Sequence, residues 1–469
     1  MTAPNGTLQQ TAPDVRGKRV LVYSLGMEGR DLARWLLAND ASVTISDTRT
    51  DAALEVAGAT APDGVEKLVN GQPLLDPAGF DLVAVSQSVL RYNPALVRAR
   101  ELGIPVTSQM RLFLQLCPGR TIGITGSSGK STTTALVGAM AREAGIESAV
   151  GGNIGEAMLA RLGDIRPETT VILEISHTQL QYTDRSPSIA AITNVTPNHL
   201  DQFSWDEYVG LKRNILAFQQ RGDVAILNAD DHTSRALMAA VKGKLVRSSI
   251  RQEPEGDGAW VEDGQVLVRS GSRSAASVIA VNEIRLRGEH NLANVTMACA
   301  IGAEAGFGKD AMARAIRAFT GVAHRLEVVG RAAGATWVND SIATSPERAI
   351  AGLRAFTEPV VLLMGGRDKN LDLDGLRELA RQRCHAIVCF GESGALFHSA
   401  MQGAVSDCTL VSTLPEAVAA AAARVQQGDV VLLSPAGTSF DAYPNFEARG
   451  EAFRQLVRAL PGFVPEVSS

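Results

Sequence analysis

A glycine-rich loop between an apolar strand and a helix constrains this chain more than any other segment. Residues 121–134 read TIGITGSSGKSTTT. Gly126 and Gly129 allow the backbone to bend so that several N–H groups point into one concavity, and the N-terminus of the following helix adds a positive dipole end. Ile124 stands six residues before the lysine, where the common nucleotide-hydrolase loop has glycine. The segment therefore predicts a phosphate-binding loop of a non-standard form.

Polar side chains at the ends of predicted strands extend this loop into a candidate site. Lys130 would lie beside the β- and γ-phosphates of a nucleotide, and the Ser131 hydroxyl is a possible Mg²⁺ ligand. Glu174 ends a strand, and His199 follows the next one in a turn rich in Thr and Asn. Taken one at a time, Glu174 is also consistent with a surface ion pair and His199 with a structural histidine. Together on three loops of one sheet, these residues favour phosphoryl chemistry with one or more metals.

Composition and charge exclude several classes of protein. The chain has 469 residues, 45% of them hydrophobic, and a formal net charge of −5, which indicates globular domains without the basic stripe of a nucleic-acid-binding protein. No apolar stretch is long enough to cross a bilayer, and the first residues carry no signal-peptide core. The five cysteines are scattered, which is typical of reduced thiols. We expect a cytoplasmic monomer that neither inserts into a membrane nor binds nucleic acid.

Strand-length apolar runs alternate with helical patterns through most of the chain, which predicts an α/β fold with parallel sheets. The length predicts about three domains. We expect a disordered leader (1–16), a Rossmann-like first domain (17–109), a central domain built on the phosphate loop with a mostly parallel sheet (110–321) and a Rossmann-like third domain (322–469). Within the central block, the polar segment 250–274 predicts a hairpin that turns at Asp263-Gly264.

The first block carries a weaker nucleotide signal. Gly26-Met-Glu-Gly29 follows a strand and Asp47 closes the next one, as in dinucleotide-binding folds where the acid meets a ribose hydroxyl. Ser24 stands where the usual first glycine would be. An ordinary strand–helix turn fits this pattern about as well as a nucleotide site does.

Five motifs together resemble the Mur ligase family of bacterial cell-wall synthesis, and the resemblance covers essentially the whole chain. They are GITGSSGKST at 123–132, GNIG at 152–155, LEIS at 173–176 with Gln179-Leu180, NVTPNHLD at 194–201 and AHRLEV at 323–328. Segments 47–49, 365–369 and 433–450 most resemble the members that add D-glutamate to UDP-N-acetylmuramoyl-L-alanine. The Asp-Asn-Pro-Arg tetrapeptide of members that add diaminopimelate or lysine does not occur.

The resemblance implies an enzyme that uses ATP and Mg²⁺ and works through an acyl phosphate. Its substrates would be UDP-N-acetylmuramoyl-L-alanine and D-glutamate, and its catalytic residues Lys130, Glu174, His199 and Lys212. By pattern alone Lys212, on the predicted helix 205–218, is an ordinary solvated lysine. By resemblance it would be carbamylated by CO₂ and would hold metal together with Ser131, Glu174 and His199.

The resemblance also implies three sets of ligand contacts. ATP would contact Gly126, Ser127, Ser128, Gly129, Lys130, Ser131, Thr132, Asn294, Arg325 and Asp340. The UDP-linked substrate would contact Asn153, Ser176 and Gln179, and its uridine end would lie on Leu25, Thr48 and Arg49 of a UDP-substrate-binding N-terminal domain. Glutamate would contact Thr344, Lys369, Ser439 and Phe446 of an amino-acid-binding C-terminal domain, and the central domain would be the ATPase.

Three segments depart from the family pattern. The usual Ser-Pro-Gly of the first domain is Ser86-Gln87-Ser88, and Ser-Ser-Phe/Trp-Gln becomes SHTQ at 176–179. The lysine of Asn-Asp-Ser-Lys-Ala-Thr is replaced by Ile342, with Arg348 as a candidate substitute cation. We expect the metal and ATP machinery to be intact and the amino-acid site to be the more divergent part.

Three other functions stay open at this point. A sister ligase would add another amino acid or L-glutamate. A nucleotide-binding regulator would keep the loop without turnover, although it would need neither His199 nor Lys212 nor Lys369. A nicotinamide oxidoreductase built on the first block is weakened by the missing glycine at Ser24.

Overall fold

A computed structural model describes residues 12–56, 59–153, 158–200, 202–271, 274–286, 288–368 and 372–465. The chain divides into two compact units: Met1–Ile284 with Glu289–Arg317, and Arg285–Gly288 with Ala318–Ser469. The first unit contains two sheets and the second contains one. Three mostly parallel sheets flanked by helices confirm the predicted α/β class. Among the described residues, no helix combines the length and apolar character that a bilayer span requires.

The first sheet is parallel throughout, in the order β3-β2-β1-β4-β5. Its two central strands, Arg19–Tyr23 and Leu82–Val85, are nearly continuous apolar runs, as expected for strands buried on both faces. Because the order reverses between β1 and β4, a crevice opens at their carboxyl ends. The strands are β1 Arg19–Tyr23, β2 Ser42–Asp47, β3 Lys67–Asn70, β4 Leu82–Val85 and β5 Val106–Ser108, and the helices are α1 Met27–Ala38, α2 Asp51–Val56, α3 Pro94–Glu101 and α4 Gln109–Leu116.

The central sheet has nine strands in the order β14-β13-β12-β11-β10-β9-β6-β8-β7. Only the β12–β13 and β13–β14 pairs are antiparallel. The strands are β6 Arg120–Thr125, β7 Ser148–Gly152, β8 Thr170–Glu174, β9 Ile189–Ile192, β10 Val224–Asn228, β11 Lys244–Ser249, β12 Gly258–Glu262, β13 Gln265–Arg269 and β14 Ala276–Ala280. The helices are α5 Lys130–Glu143, α6 His177–Leu180, α7 Trp205–Ala217, α8 His232–Leu237, α9 Glu289–Ala305 and α10 Lys309–Ala318, with 3-10 turns at Leu159–Asp164, Met238–Ala240 and Val281–Glu283.

The third sheet has the order β19-β18-β17-β20-β16-β15-β21, in which β15 runs antiparallel to both of its neighbours. The strands are β15 Glu327–Ala332, β16 Ala335–Asn339, β17 Val360–Gly365, β18 Cys384–Phe390, β19 Asp407–Leu410, β20 Val430–Ala436 and β21 Val464–Pro465. The helices are α11 Pro346–Leu353, α12 Asp374–Arg383, α13 Gly394–Met401, α14 Leu414–Ala422 and α15 Phe446–Arg458.

Local predictions fare well where turn chemistry is specific. Strands β12 and β13 form the predicted hairpin, and its turn residues Asp263 and Gly264 have φ values of 47° and 71°, which suits a tight hairpin turn.

Val15, inside the segment expected to be a disordered leader, is 3% exposed and packs in the core of the first unit, so ordered chain begins before residue 17. Residues 1–11 lie outside the described part. The predicted domain boundaries after 109 and 321 stay predictions.

Candidate active site

The phosphate loop joins β6 to α5 in a conformation that only glycine adopts easily. Gly126 and Gly129 have φ values of 153° and 80°, in the region that side chains disfavour. A Cβ at Gly126 would lie 1.9 Å from Thr193 Oγ1. Lys130 begins α5 and curls back over the loop, where its Nζ donates to Gly126 O at 3.0 Å and Ser127 O at 3.3 Å. The loop therefore forms a concave cradle, and the Lys130 ammonium lies at its edge.

The neighbouring loop after β9 fixes the phosphate loop in place. Asn194 Oδ1 accepts from Ser128 N at 3.0 Å, and its backbone carbonyl accepts from Ser127 N at 2.9 Å. Ser127 Oγ donates to Thr196 O at 2.9 Å and lies 3.0 Å from Tyr208 Oη. The serine side chains expected to contact ATP are thus partly engaged by the protein, which pre-organises the loop.

Helix α9 closes one side of this cradle. A Cβ at Gly129 would lie 2.1 Å from Asn294 Oδ1, so the predicted ATP contact Asn294 packs directly against the loop. Ser131 and Thr132 are 8% and 5% exposed at the start of α5. These three predicted residues are therefore brought together with Lys130 at one edge of the central sheet.

Glu174, at the end of β8, carries a buried oxygen without a partner. The residue is 2% exposed, and its Oε1 accepts from Asn153 Nδ2 at 2.9 Å. Within the described part of the chain, nothing hydrogen-bonds to Oε2. A buried unpaired carboxylate oxygen is costly unless a ligand satisfies it. This arrangement suits an oxygen-seeking cation such as Mg²⁺.

Two histidine rings, one after β8 and one after β9, lie side by side. His199 is exposed and has a φ of 56°, which is uncommon for a non-glycine residue. Its ring centroid lies 4.2 Å from that of His177, which is 8% exposed. Burial, helped by positive charge at Lys212, lowers the pKa of His177 to about 3. The ring of His177, a residue of the SHTQ segment that departs from the family pattern, therefore packs against His199.

Lys212 on α7 is buried, contrary to the solvated position that its sequence pattern alone suggests. It is 1% exposed, and its Nζ donates to Gly126 O at 2.9 Å and Thr125 Oγ1 at 3.1 Å. Burial and the charge of Lys130 hold the pKa of Lys212 well below its usual range, against the opposing effect of Glu174. The amine thus reaches the phosphate loop from beneath.

The residues present fit a metal site in which they supply some of the ligands and other groups supply the rest. No group of three or more His, Cys, Asp or Glu side chains comes together around one point in the described ranges. Glu174 offers one oxygen that has no hydrogen-bond partner among the described residues, and the buried Lys212 amine lies at the same sheet edge. A carbamate on Lys212 would add the oxygen ligands that a hard cation requires.

A cavity of about 720 Å³ opens at the strand-order reversal of the first sheet. Two residues predicted to bind the UDP end, Thr48 and Arg49, line it together with Tyr92. The third, Leu25, is buried beneath, and its N–H donates to Asp47 Oδ2 at 2.6 Å. Arg49 pairs with the same carboxylate through Nε at 2.9 Å and Nη2 at 2.7 Å. Asp47 therefore accepts from the chain's own groups, and the cavity wall is built around it.

Two predicted sugar contacts, Ser176 and Gln179, form a capping box at the start of α6. Gln179 is 2% exposed, and its Nε2 donates to Glu28 Oε1 at 2.6 Å. The carboxylate of Glu28 is buried, which raises its pKa. Sequence reasoning noticed the Gly26-Met-Glu-Gly29 turn but assigned no role to this acid, because its partner lies 151 residues away.

The second unit contains the remaining predicted residues. Asp340 follows β16 and is 4% exposed, and its Oδ2 accepts from Ser434 Oγ at 2.9 Å. Burial raises its pKa to about 7, although the charge of Arg325 opposes this. Arg348 donates to Ile342 O at 3.1 Å, so this candidate substitute cation contacts the backbone at the position where the family has lysine.

Three of the predicted glutamate contacts lie in the second unit, which also contains the buried Arg449. Thr344 lies in the loop before α11, Ser439 is 2% exposed after β20, and Phe446 begins α15. Arg449 is 1% exposed and donates to Ser341 Oγ, Ser341 O and Gly437 O at 2.9 to 3.1 Å. Sequence reasoning missed this arginine. The fourth predicted contact, Lys369, lies outside the described residues.

Two family models match the central and C-terminal parts of the chain. The Mur ligase middle domain matches residues 124–302, and the Mur ligase, glutamate ligase domain matches residues 324–437. The first span contains the phosphate loop, Glu174 and Lys212. The chain belongs to the Mur ligase family.

Relatives of this Mur ligase match almost from end to end. A protein of Symbiobacterium thermophilum is 40% identical over 94% of this chain and 98% of its own length. Another from Clostridium novyi is 38% identical over 95% and 98%. Both are named UDP-N-acetylmuramoylalanine–D-glutamate ligase.

Solved structures share the fold. UDP-N-acetylmuramate-alanine ligase of Thermotoga maritima is 16% identical and superposes with a TM-score of 0.57, covering 93% of this chain and 98% of that one. The UDP-N-acetylmuramoylalanyl-D-glutamyl-2,6-diaminopimelate–D-alanyl-D-alanyl ligase of Acinetobacter baumannii is 17% identical, with a TM-score of 0.54 and coverage of 93% and 89%. At this identity the likeness concerns architecture alone.

Proposed function

We propose that this Mur ligase joins D-glutamate to UDP-N-acetylmuramoyl-L-alanine with hydrolysis of ATP to ADP and phosphate, a step of peptidoglycan synthesis. The observation that carries the proposal is the buried amine of Lys212 beside a phosphate cradle, together with a Glu174 oxygen that no described residue hydrogen-bonds. The substrates follow from the names of the relatives at 38 to 40% identity. A binding-only regulator would have no use for such a costly buried group.

The chemistry proceeds in two balanced steps. An oxygen of the alanine carboxylate attacks the γ-phosphorus of ATP, and the bond to the β-phosphate oxygen breaks with departure of ADP. The amine of D-glutamate then attacks the acyl carbon, loses a proton, and expels phosphate to leave an amide. Two polyanions must approach each other in the first step, so cations and backbone donors are the main requirement.

The phosphate loop meets this requirement. The N–H groups between Gly126 and Thr132, with the Lys130 ammonium, would hold the phosphates of ATP, and Asn294 would contact its base. Ser131, Glu174 and His199 would hold Mg²⁺, which supplies charge neutralisation at the phosphates when bound. We also assign Arg325 and Asp340 to ATP binding.

Lys212 serves this site as a carbamate in our proposal. Only a neutral amine adds to CO₂, and burial favours the neutral form of Lys212. The carbamate carries a negative charge where a bare ammonium would repel the metal. The reaction forms an N–C bond and releases one proton, so it needs no further reactant.

We assign the parts of the UDP-linked substrate and the amino acid to residues on three different sheets. We assign the UDP end to the first-sheet cavity at Leu25, Thr48 and Arg49, and the sugar to the loops carrying Asn153, Ser176 and Gln179. Amino-acid binding is assigned to the C-terminal domain through Thr344, Lys369, Ser439 and Phe446. We further propose that the enzyme acts as a monomer in the cytoplasm, where nucleotide-linked precursors and ATP are present.

Phosphate release is the test of this function. Purified enzyme receives ATP, Mg²⁺ and UDP-N-acetylmuramoyl-L-alanine, with D-glutamate, L-glutamate or no amino acid. Release that depends on D-glutamate is the expected result. Release with L-glutamate or another amino acid would keep the ligase and move attention to Ile342 and His177. Absence of release in every arm would overturn the proposal.

A further inference from the structure

A hydrogen-bond network joins the first sheet to the central sheet through Gln87. Its Oε1 accepts from Ser176 Oγ at 2.8 Å and from Thr178 Oγ1 at 3.2 Å. Its backbone N–H donates to Glu28 Oε2 at 2.6 Å, and Gln179 Nε2 donates to the other oxygen of that carboxylate at 2.6 Å. Both the side chain and the backbone of Gln87 therefore hold the loop after β4 against the start of α6.

The network is partly shielded from water. Glu28, Ser176 and Gln179 are 8%, 7% and 2% exposed, whereas Gln87 and Thr178 are half-buried. Hydrogen bonds in a partly buried network are stronger than fully exposed ones and favour one arrangement of the groups that they join. The two loops are therefore expected to keep one relative position.

Each end of the network reaches a part of the proposed substrate site. On one side, Ser88 follows Gln87 and donates through Oγ to Ser24 Oγ at 3.2 Å, and both serines line the first-sheet cavity. On the other side, Ser176 stands two residues after Glu174, whose Oε2 has no partner among the described residues. Gln87 thus lies between the cavity and the phosphate-loop edge.

We propose that Gln87 is a positioning residue that fixes the span between the UDP pocket and the reaction centre. This inference rests on the proposed function, in which one substrate is held at its UDP end by the first sheet and reacts at its carboxylate on the central sheet. A misplacement of about 1 Å between the two loops would reduce the rate by about 100-fold. Binding of UDP alone would not depend on this span.

Gln87→Leu tests the proposal, because leucine keeps the side-chain volume and removes the acceptor. We expect kcat/KM for UDP-N-acetylmuramoyl-L-alanine to fall about 10- to 100-fold. Calorimetric titration with UDP alone should give a Kd within about twofold of the wild type, because binding of UDP alone does not depend on the span between the two loops. Gln252→Ala, at an exposed glutamine of the first unit, is the matched control and should leave both values unchanged.

Thr178→Val and the double variant separate positioning from general damage. If both residues act through one network, the double variant loses no more activity than Gln87→Leu. The inference would be overturned if the losses of activity in the two single variants multiplied in the double variant. It would also be overturned if Gln87→Leu kept full activity, or if its affinity for UDP fell in parallel with its activity. Should Gln87→Leu fail to fold, Thr178→Val carries the same comparison. A wild-type enzyme without D-glutamate-dependent phosphate release would instead defeat the proposed function itself.

Discussion

Buried charged side chains lie at the carboxyl edges of both the central sheet and the third sheet, but their surroundings differ. In the central sheet, Glu174 keeps an oxygen without a partner in the described chain, and Lys212 has a strongly lowered pKa. In the third sheet, Arg449 makes three hydrogen bonds to neighbouring loops. An unsatisfied buried charge is tolerated only where a ligand completes it. We therefore interpret the first edge as reactive and Arg449 as scaffolding.

The largest effect is expected at the phosphate loop. Lys130→Ala removes the cation that faces the phosphates and should lower kcat/KM for phosphate release about 1000-fold. The thermal midpoint should change little, because Lys130 is only partly buried. Lys309→Ala, at an exposed lysine of the same unit, is the control and should be fully active. Retained ligation in Lys130→Ala would remove the loop from the mechanism.

Arg449 should show the opposite behaviour. Arg449→Leu fills the apolar volume but leaves buried acceptors around Ser341 unpaired, so the free energy of unfolding should fall by about 3 kcal/mol. Urea unfolding followed by fluorescence measures this loss, with the exposed Arg458→Leu as control. If stability were unchanged and only the KM for glutamate rose, Arg449 would be a ligand contact and the contrast between the two edges would be wrong.

Lys212 tests whether the reactive edge depends on CO₂. Lys212→Arg keeps a cation that forms no stable carbamate, and activity should fall about 100-fold through loss of a metal ligand. With ¹³C-bicarbonate, the wild type should give a carbamate carbon signal that is absent in Lys212→Arg and present in the control Lys309→Arg. A fully active Lys212→Arg enzyme would contradict the assignment.

The sequence predicted the reactive edge better than the scaffolding because of how far apart the partners lie. Gly126, Gly129 and Lys130 act within one short segment whose backbone requirements are visible in the residue types. The burial of Lys212 depends on how α7 packs beneath the loop, which a helical pattern does not reveal. The Glu28–Gln179 contact joins residues 151 positions apart. Such pairs form only when two sheets pack together, so no local sequence pattern predicts them.

Asp340 offers the smallest and most specific test of the comparison. Its buried carboxyl has a pKa raised to about 7, above the value near 4 expected in the unfolded chain. The stabilising contribution of the protonated form is complete below about pH 4 and is lost as the pH rises through 7, so between pH 5 and 7 the wild type should lose roughly 2 kcal/mol of unfolding free energy relative to Asp340→Asn. Urea unfolding at several pH values measures this difference. Equal pH dependence in both proteins would mean that Asp340 stays ionised in the folded state. It would then be a buried charge that awaits a ligand, like Glu174, and the third-sheet edge would hold a reactive group beside its scaffold.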